Sequence, residues 1–174
     1  MKEKKNCKCQ WKDNRGTSIV ELLTVMAILA VFVGVSTNIV GMLSGKQAKQ
    51  CAYKMEAALS ETRVETMSKS NGEKDSVYLT FANVDGEIYA KQKVRDHQSS
   101  DFLGKNVTVK AFKMAGGNPD ELTAGTEINI YFERSTGALY DEDSNYCKFE
   151  VTQGNVTYVV SVVPLTGKVS YERQ

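Results

Sequence analysis

The sequence predicts an α+β chain: a long N-terminal helix packed on an antiparallel β domain of about seven short strands. Three observations predict it. Residues 22–45 contain no Asp, Glu, Lys or Arg. Directly after them, apolar and small residues recur at three- and four-residue spacing, the period of an amphipathic helix. From Gly72 onward the apolar period shortens to two, which is the signature of half-buried strands.

The elements follow in order. Residues 1–16 hold six basic and two acidic residues, net +4, whereas the remainder of the 174-residue chain is net −3. A basic segment ahead of an apolar run is retained on the cytoplasmic side, so this leader predicts that everything after Lys46 lies outside. Residues 17–45 read as a transmembrane and assembly helix. As a helix, the uncharged run would measure about 36 Å, against a hydrocarbon core of about 30 Å. Residues 46–71 read as the amphipathic half of the same helix, with Cys51, Met55, Leu59 and Thr62 on one stripe and Lys49, Lys54, Glu61 and Glu65 mostly off it. Ser70-Asn71-Gly72 supplies a C-terminal stop.

Residues 72–174 read as the β domain. Val77, Leu79 and Phe81 alternate with polar neighbours, and Asp85-Gly86 turns the chain into Glu87-Ile88-Tyr89-Ala90. An Asp-Gly pair between alternating runs is a strong hairpin signal. Further alternating runs are Asn106 to Phe112, Ile128 to Phe132, Cys147 to Val151 and Val156 to Val163, with turns at Ser135-Thr136-Gly137, Gly154-Asn155 and Pro164 to Gly167. An antiparallel sheet needs one face covered, and the stripe through Met55 and Leu59 is the available cover.

Proline is scarce (2) and the charged fraction is 25%, which excludes collagen-like and disordered classes. The basic start resembles a secretory signal, but the apolar run exceeds a signal core of about 7–15 residues and no small-x-small site follows it. A plain uncleaved anchor explains the run, yet gives no reason for Gly16 before it or for Glu21 inside its start. An isolated carboxylate deep in lipid costs on the order of 2.5–3.5 kcal/mol, so Glu21 calls for a partner.

The stretch Arg15-Gly16-Thr17-Ser18-Ile19-Val20-Glu21-Leu22-Leu23 resembles the N-terminal signal of type IV pilins and pseudopilins. That family has a basic leader ending in Gly and then an apolar helix with Glu at its fifth position. The resemblance implies cleavage after Gly16 by a prepilin peptidase, N-methylation of Thr17 and polymerisation through the apolar helix. Thr17 stands where Phe is commoner, which points to a minor pilin or pseudopilin. The leader is longer than many, and no proline lies near the end of the apolar run, where Gly34 and Gly41 stand instead. Cleavage would free an α-ammonium at Thr17, and Glu21, one helical turn along, would answer it in the same chain or a neighbour and so set register between subunits. Ala57-Ala58-Leu59-Ser60-Glu61-Thr62-Arg63 and Ile130-Tyr131-Phe132-Glu133-Arg134-Ser135-Thr136-Gly137 resemble the H-type pseudopilin and FimT-like branch.

Candidates for chemistry are few. His97 is the single histidine and sits in a polar run read as a solvated loop. No phosphate-binding loop and no Ser/His/Asp arrangement is found, so no enzymatic activity and no cofactor are expected. Cys7 and Cys9 lie in the leader. Cys51 and Cys147 lie beyond it, either as a disulfide stapling helix to sheet or as two buried free thiols. Asp141 and Asp143 offer oxygen ligands for calcium, but the spacing is not an EF-hand and a solvated acidic turn is the simpler reading, so no metal is expected. Asn106 and Asn155 each begin an Asn-x-Thr acceptor pattern, within expected strands.

The expected function is a minor pilin or pseudopilin subunit, processed after Gly16 and polymerised into a type IV pilus or a type II secretion-like filament. Its implied partners are the prepilin peptidase, other pilin or pseudopilin subunits, and the inner-membrane assembly platform with its ATPase. The expected location is the cell membrane, single-pass, with the N-terminus cytoplasmic before processing, and then a surface or periplasmic filament. Two alternatives stand beside it. One is an uncleaved, membrane-anchored extracytoplasmic binding module. The other is a competence pseudopilin contacting DNA through residues such as Arg173. Dispersed basic residues in a net-negative mature chain speak against nucleic acid.

Overall fold

The computed structural model describes residues 19–43 (side chains through Phe32), 45–140 and 145–174. The chain divides into two compact units, Met1–Val40 and Gly41–Gln174. The described part of the first unit is helical, within α1 (Ile19–Leu43).

Among the described residues, the second unit holds α2 (Lys46–Lys69), a single 3-10 turn (Lys74–Ser76) and nine strands. These are β1 (Val77–Val84), β2 (Glu87–Val94), β3 (His97–Lys105), β4 (Thr108–Lys113), β5 (Asp120–Glu121), β6 (Glu127–Ile130), β7 (Tyr146–Gln153), β8 (Val156–Val162) and β9 (Val169–Arg173). They form a four-stranded sheet in the order β3-β2-β1-β6 and a five-stranded sheet in the order β5-β4-β7-β8-β9. Every pairing is antiparallel.

This corrects the expected fold class. Among the described residues the chain is mostly β, with two helices and two sheets, rather than one long helix on one sheet of about seven strands. Helical geometry is interrupted at Gly45 (φ −148°, ψ −7°), where lack of a side chain makes a helix costly. A methyl there would stand 3.0 Å from Val156 Cγ1, so the glycine lets the start of α2 sit on β8. The expected membrane-crossing half is corrected too. Among the described residues no helix is long and apolar enough to cross a membrane.

The hairpin signal is realised fully. Asp85 (φ 52°) and Gly86 (φ 84°) both take left-handed geometry, as a tight two-residue turn between twisted strands requires, and β1 pairs with β2 from Val84↔Glu87 to Val77↔Val94. Gly154 (φ 60°) and Asn155 also join β7 to β8 in a two-residue turn, with only the glycine left-handed. The strand β3 was not expected, and His97 is its exposed first residue rather than part of a loop. Its first six residues are all exposed. They show no alternation because the strand runs along the margin of its sheet. The Asn-x-Thr asparagines lie in connections, not strands: Asn106 (φ 54°) between β3 and β4, Asn155 between β7 and β8.

The stripe of α2 buries Ala48, Cys51, Ala52, Met55, Leu59, Thr62 and Thr66. Helix α2 touches strands of both sheets, among them β1, β2 and β3 on one side and β7, β8 and β9 on the other. Phe81 of β1 meets Phe149 of β7 edge-to-face, ring centroids 5.4 Å apart, so the sheets share one core. An aromatic pair of this kind contributes about 0.5–1.5 kcal/mol beyond its buried area. The two threonines are tolerated there because each hydroxyl donates to its own helix, Thr62 to Ala58 O at 2.7 Å and Thr66 to Thr62 O at 2.8 Å.

Candidate functional site

The candidate site is the surface of α1. Its large apolar side chains Ile19, Val20, Leu22, Leu23, Val25, Met26, Ile28, Leu29, Val31 and Phe32 are each more than half exposed. At about 100° per residue these ten positions surround the axis, leaving no polar face. A helix hydrophobic all round is stable in water only when something covers it. Each such side chain gains about 1.5–3 kcal/mol on full burial. Thr24 does not break the pattern, since its hydroxyl donates back to Val20 O. Thr24, Ala27, Ile28, Val31 and Phe32 line a shallow recess of about 280 Å³, where the small Ala27 leaves room for a ridge from another helix.

Glu21 is the acidic residue in the first turn of α1 and is exposed. There its charge meets the positive end of the helix dipole, an effect worth about 0.3–1 kcal/mol at an exposed site. It has no ion-pair partner among the described residues. Gly16 and Thr17 lie outside the described residues, as do Cys7, Cys9, Asp141 and Asp143.

The remaining candidates lie in the second unit and do not converge. In this structure Cys51, buried, and Cys147, half-buried, stand apart as free thiols. Their surroundings explain it. Cys51 packs against Gly104 of β3, where an added methyl would lie 3.2 Å from its Cβ. Cys147 sits on β7 of the other sheet, with Sγ 3.8 Å from Phe112 O. Asn145, which follows the acidic pair Asp141 and Asp143 in sequence, is buried and structural: its amide donates to Tyr131 O (3.0 Å) and Tyr140 O (3.1 Å). No group of three or more metal-ligating side chains occurs among the described residues. Arg173 is exposed at the end of β9.

Burial is the main cause of two upward-displaced titrations, at Cys51 and Tyr146. Burial pushes the Cys51 thiol up to about 12, with the Lys54 charge pulling weakly the other way. Burial, then the hydrogen bond to Asp120, pushes Tyr146 up to about 12; its hydroxyl donates to Asp120 Oδ2 at 2.7 Å. Lys113 pairs with the same carboxylate at 2.9 Å, and these two hydrogen bonds hold Asp120 below the usual carboxylate range. This cluster ties β5 to β4 and β7. A raised acid keeps its proton in the folded state while the unfolded chain gives it up. Stability is therefore whole below about pH 9, the ordinary thiol value, and falls as pH rises toward 12. One such group contributes a slope of about 1.4 kcal/mol per pH unit. In urea titrations from pH 8 to 11, Cys51→Ala is expected to flatten the alkaline fall, and the native Cys51 thiol to resist thiol reagents until the chain unfolds.

The fold and the site together define a class: a chain with an N-terminal helix apolar on every side, followed by a helix-backed domain of two antiparallel sheets. No family model matches the chain, and neither does any curated protein or solved structure.

Sequence reasoning found α1 and Glu21 from the charge-free run. It missed the margin of β3 and the α2 side chains beside it. The one signal there was the pair Ala57-Ala58, small residues on the polar side of the stripe.

Proposed function

We propose that this chain is a subunit of a helix-cored filament, a minor pilin or pseudopilin of a type IV pilus or type II secretion-like assembly. The observation that carries this reading is the all-round apolar surface of α1, with Glu21 as the acidic residue in its first turn. Packing α1 among the α1 helices of neighbouring subunits covers every side of it at once. In that setting Glu21 needs a cation, and the α-ammonium freed at Thr17 by cleavage after Gly16 is the nearest in sequence. A pair made between neighbours sets their axial stagger, because removing one member of a buried pair costs about 3–5 kcal/mol. The proposed partners are a prepilin peptidase, other subunits of the same kind, and an assembly platform with its ATPase at the cell membrane. The second unit then works outside the cytoplasm and does no chemistry.

The test is the intact mass of the working protein and the composition of sheared filaments. The expected terminus is a methylated Thr17. The Glu21→Ala variant is expected to be processed normally and to be lost from filaments. A working pool that still begins at Met1 returns the chain to the anchored-module reading, and normal incorporation of Glu21→Ala removes the counter-charge argument.

A further inference from the structure

Strand β3 pairs with β2 on one side only, because it ends the four-stranded sheet. Its free side faces α2 across an open groove of about 260 Å³, walled by Ala57, Ala58 and Glu61 of the helix and by Asp101 and Phe102 of the strand, with Leu103 among them. Lys54 Nζ donates to Phe102 O at 2.7 Å, which places that carbonyl on the free side. In an antiparallel ladder alternate residues aim both backbone groups the same way. The N–H and C=O groups of Ser100 and Gln98 therefore face outward as well. No other backbone segment bonds to them among the described residues.

Such a margin is a template for another strand unless it is blocked. The bulge in β3 falls opposite Ile88 and Tyr89, at its far end. Residues 97–101 stay regular, exposed and free of proline and lysine. Ala57 and Ala58 present nothing longer than a methyl, so an extended chain has room about 4.8 Å from β3.

Charge decides what fits. Lys54 is committed to Phe102 O. Glu61 and Asp101 are both exposed carboxylates facing this groove, and neither has an ion-pair partner among the described residues. We propose that the margin of β3 receives an extended basic peptide segment of a partner protein as a fifth strand. Its main chain bonds to Ser100 and Gln98, its apolar side chains face Ala57 and Leu103, and a Lys or Arg lies between Glu61 and Asp101. This mode of recognition takes affinity from the backbone and selectivity from alternate side chains. It stands independently of the role of α1.

The test uses the full chain in detergent micelles and a blocked heptapeptide, acetyl-Val-Thr-Lys-Thr-Val-Thr-Lys-amide, whose valines and lysines share one face of an extended strand. Saturable binding is expected, with slowed amide exchange at Ser100 and Gln98. Ser100→Pro removes an outward N–H that the β2 ladder does not use, and is expected to weaken binding at least tenfold while leaving Tm within a few degrees. Glu61→Lys, at an exposed helix position, is expected to weaken it to a similar degree. A peptide with Glu in place of both lysines is expected not to bind. The proposal is overturned if the Ser100 amide gains no protection at saturating peptide, or if Glu61→Lys leaves affinity unchanged. It is also overturned if Ser100 is protected without peptide by dimerisation of the chain, which would give this margin to a second copy.

Discussion

Gly167→Ala is expected to destabilise the unit beginning at Gly41 by about 3–5 kcal/mol, a large part of the roughly 5–15 kcal/mol that holds a domain together. The reason is a seat around Arg63. Its Nε donates to Gly137 O at 3.1 Å, and two tight turns close over the guanidinium. One is held by Gly137 N–H to Glu133 O (2.8 Å), the other by Gly167 N–H to Val163 O (2.7 Å). They are joined where Leu139 N–H donates to Pro164 O at 2.9 Å. Gly137 and Gly167 sit at φ 68° and 63°, where a side chain is strained. A methyl on Gly167 would run into Gly137 O, which is backbone and cannot swing away, and would meet Arg63 Cδ at 2.9 Å. Left-handed strain costs about 1–2 kcal/mol, and the collision adds about 1–3 kcal/mol or more. The Tm should fall by roughly 10–20 °C. Gly72→Ala is the control: φ is 99°, but nothing lies within 4 Å of the added methyl, so strain acts alone. Equal losses in the two variants would show that the Arg63 seat is not tightly packed.

That seat shows what a sequence can carry and where it stops. Arg63 and Gly137 each stood inside a stretch resembling one branch of a family, but nothing in the spacing joined them, because they are 74 positions apart. Local signals survived folding. Asp85-Gly86 made its turn, and the stripe from Ala48 to Thr62 became the buried face of α2. The division into two sheets was not local. Whether β4 extends the first sheet or starts a second depends on its pairing with β7, from Thr108↔Thr152 onward, which alternation alone cannot specify. Strand β3 was hidden for a related reason: a marginal strand has little to bury, so its first six residues read as polar loop. The interruption at Gly45 could have been read from the glycine itself, yet the uncharged run on one side and the helix formers on the other argued for continuity. The candidate site divides similarly. Glu21 and α1 were legible from charge alone. The groove beside β3 was not, since its polar walls come from residues that are unremarkable singly and meet only in the folded domain.

Ile28→Lys is expected to abolish assembly while leaving the β domain intact. Ile28 is more than half exposed and lies about 10 Å along the axis of α1 from Glu21, too far for the new ammonium to pair with that carboxylate. If α1 packs among other helices, the lysine enters a dry interface with no partner. An uncompensated buried charge costs about 3–5 kcal/mol, which lowers an association constant by roughly 10²–10³-fold. A long stem can bend toward water only where water is near, and α1 apolar on all sides offers no wet face. Ile28→Val should assemble normally, since losing one methylene costs only about 0.5–1.5 kcal/mol. Thermal unfolding of the second unit should be unchanged in both variants, because α1 through Val40 belongs to the other compact unit. The mature N-terminal mass separates loss of assembly from loss of processing. A lysine variant that is processed and still enters filaments at the wild-type level would mean that this side of α1 faces water in the assembly. The apolar surface would then need another explanation.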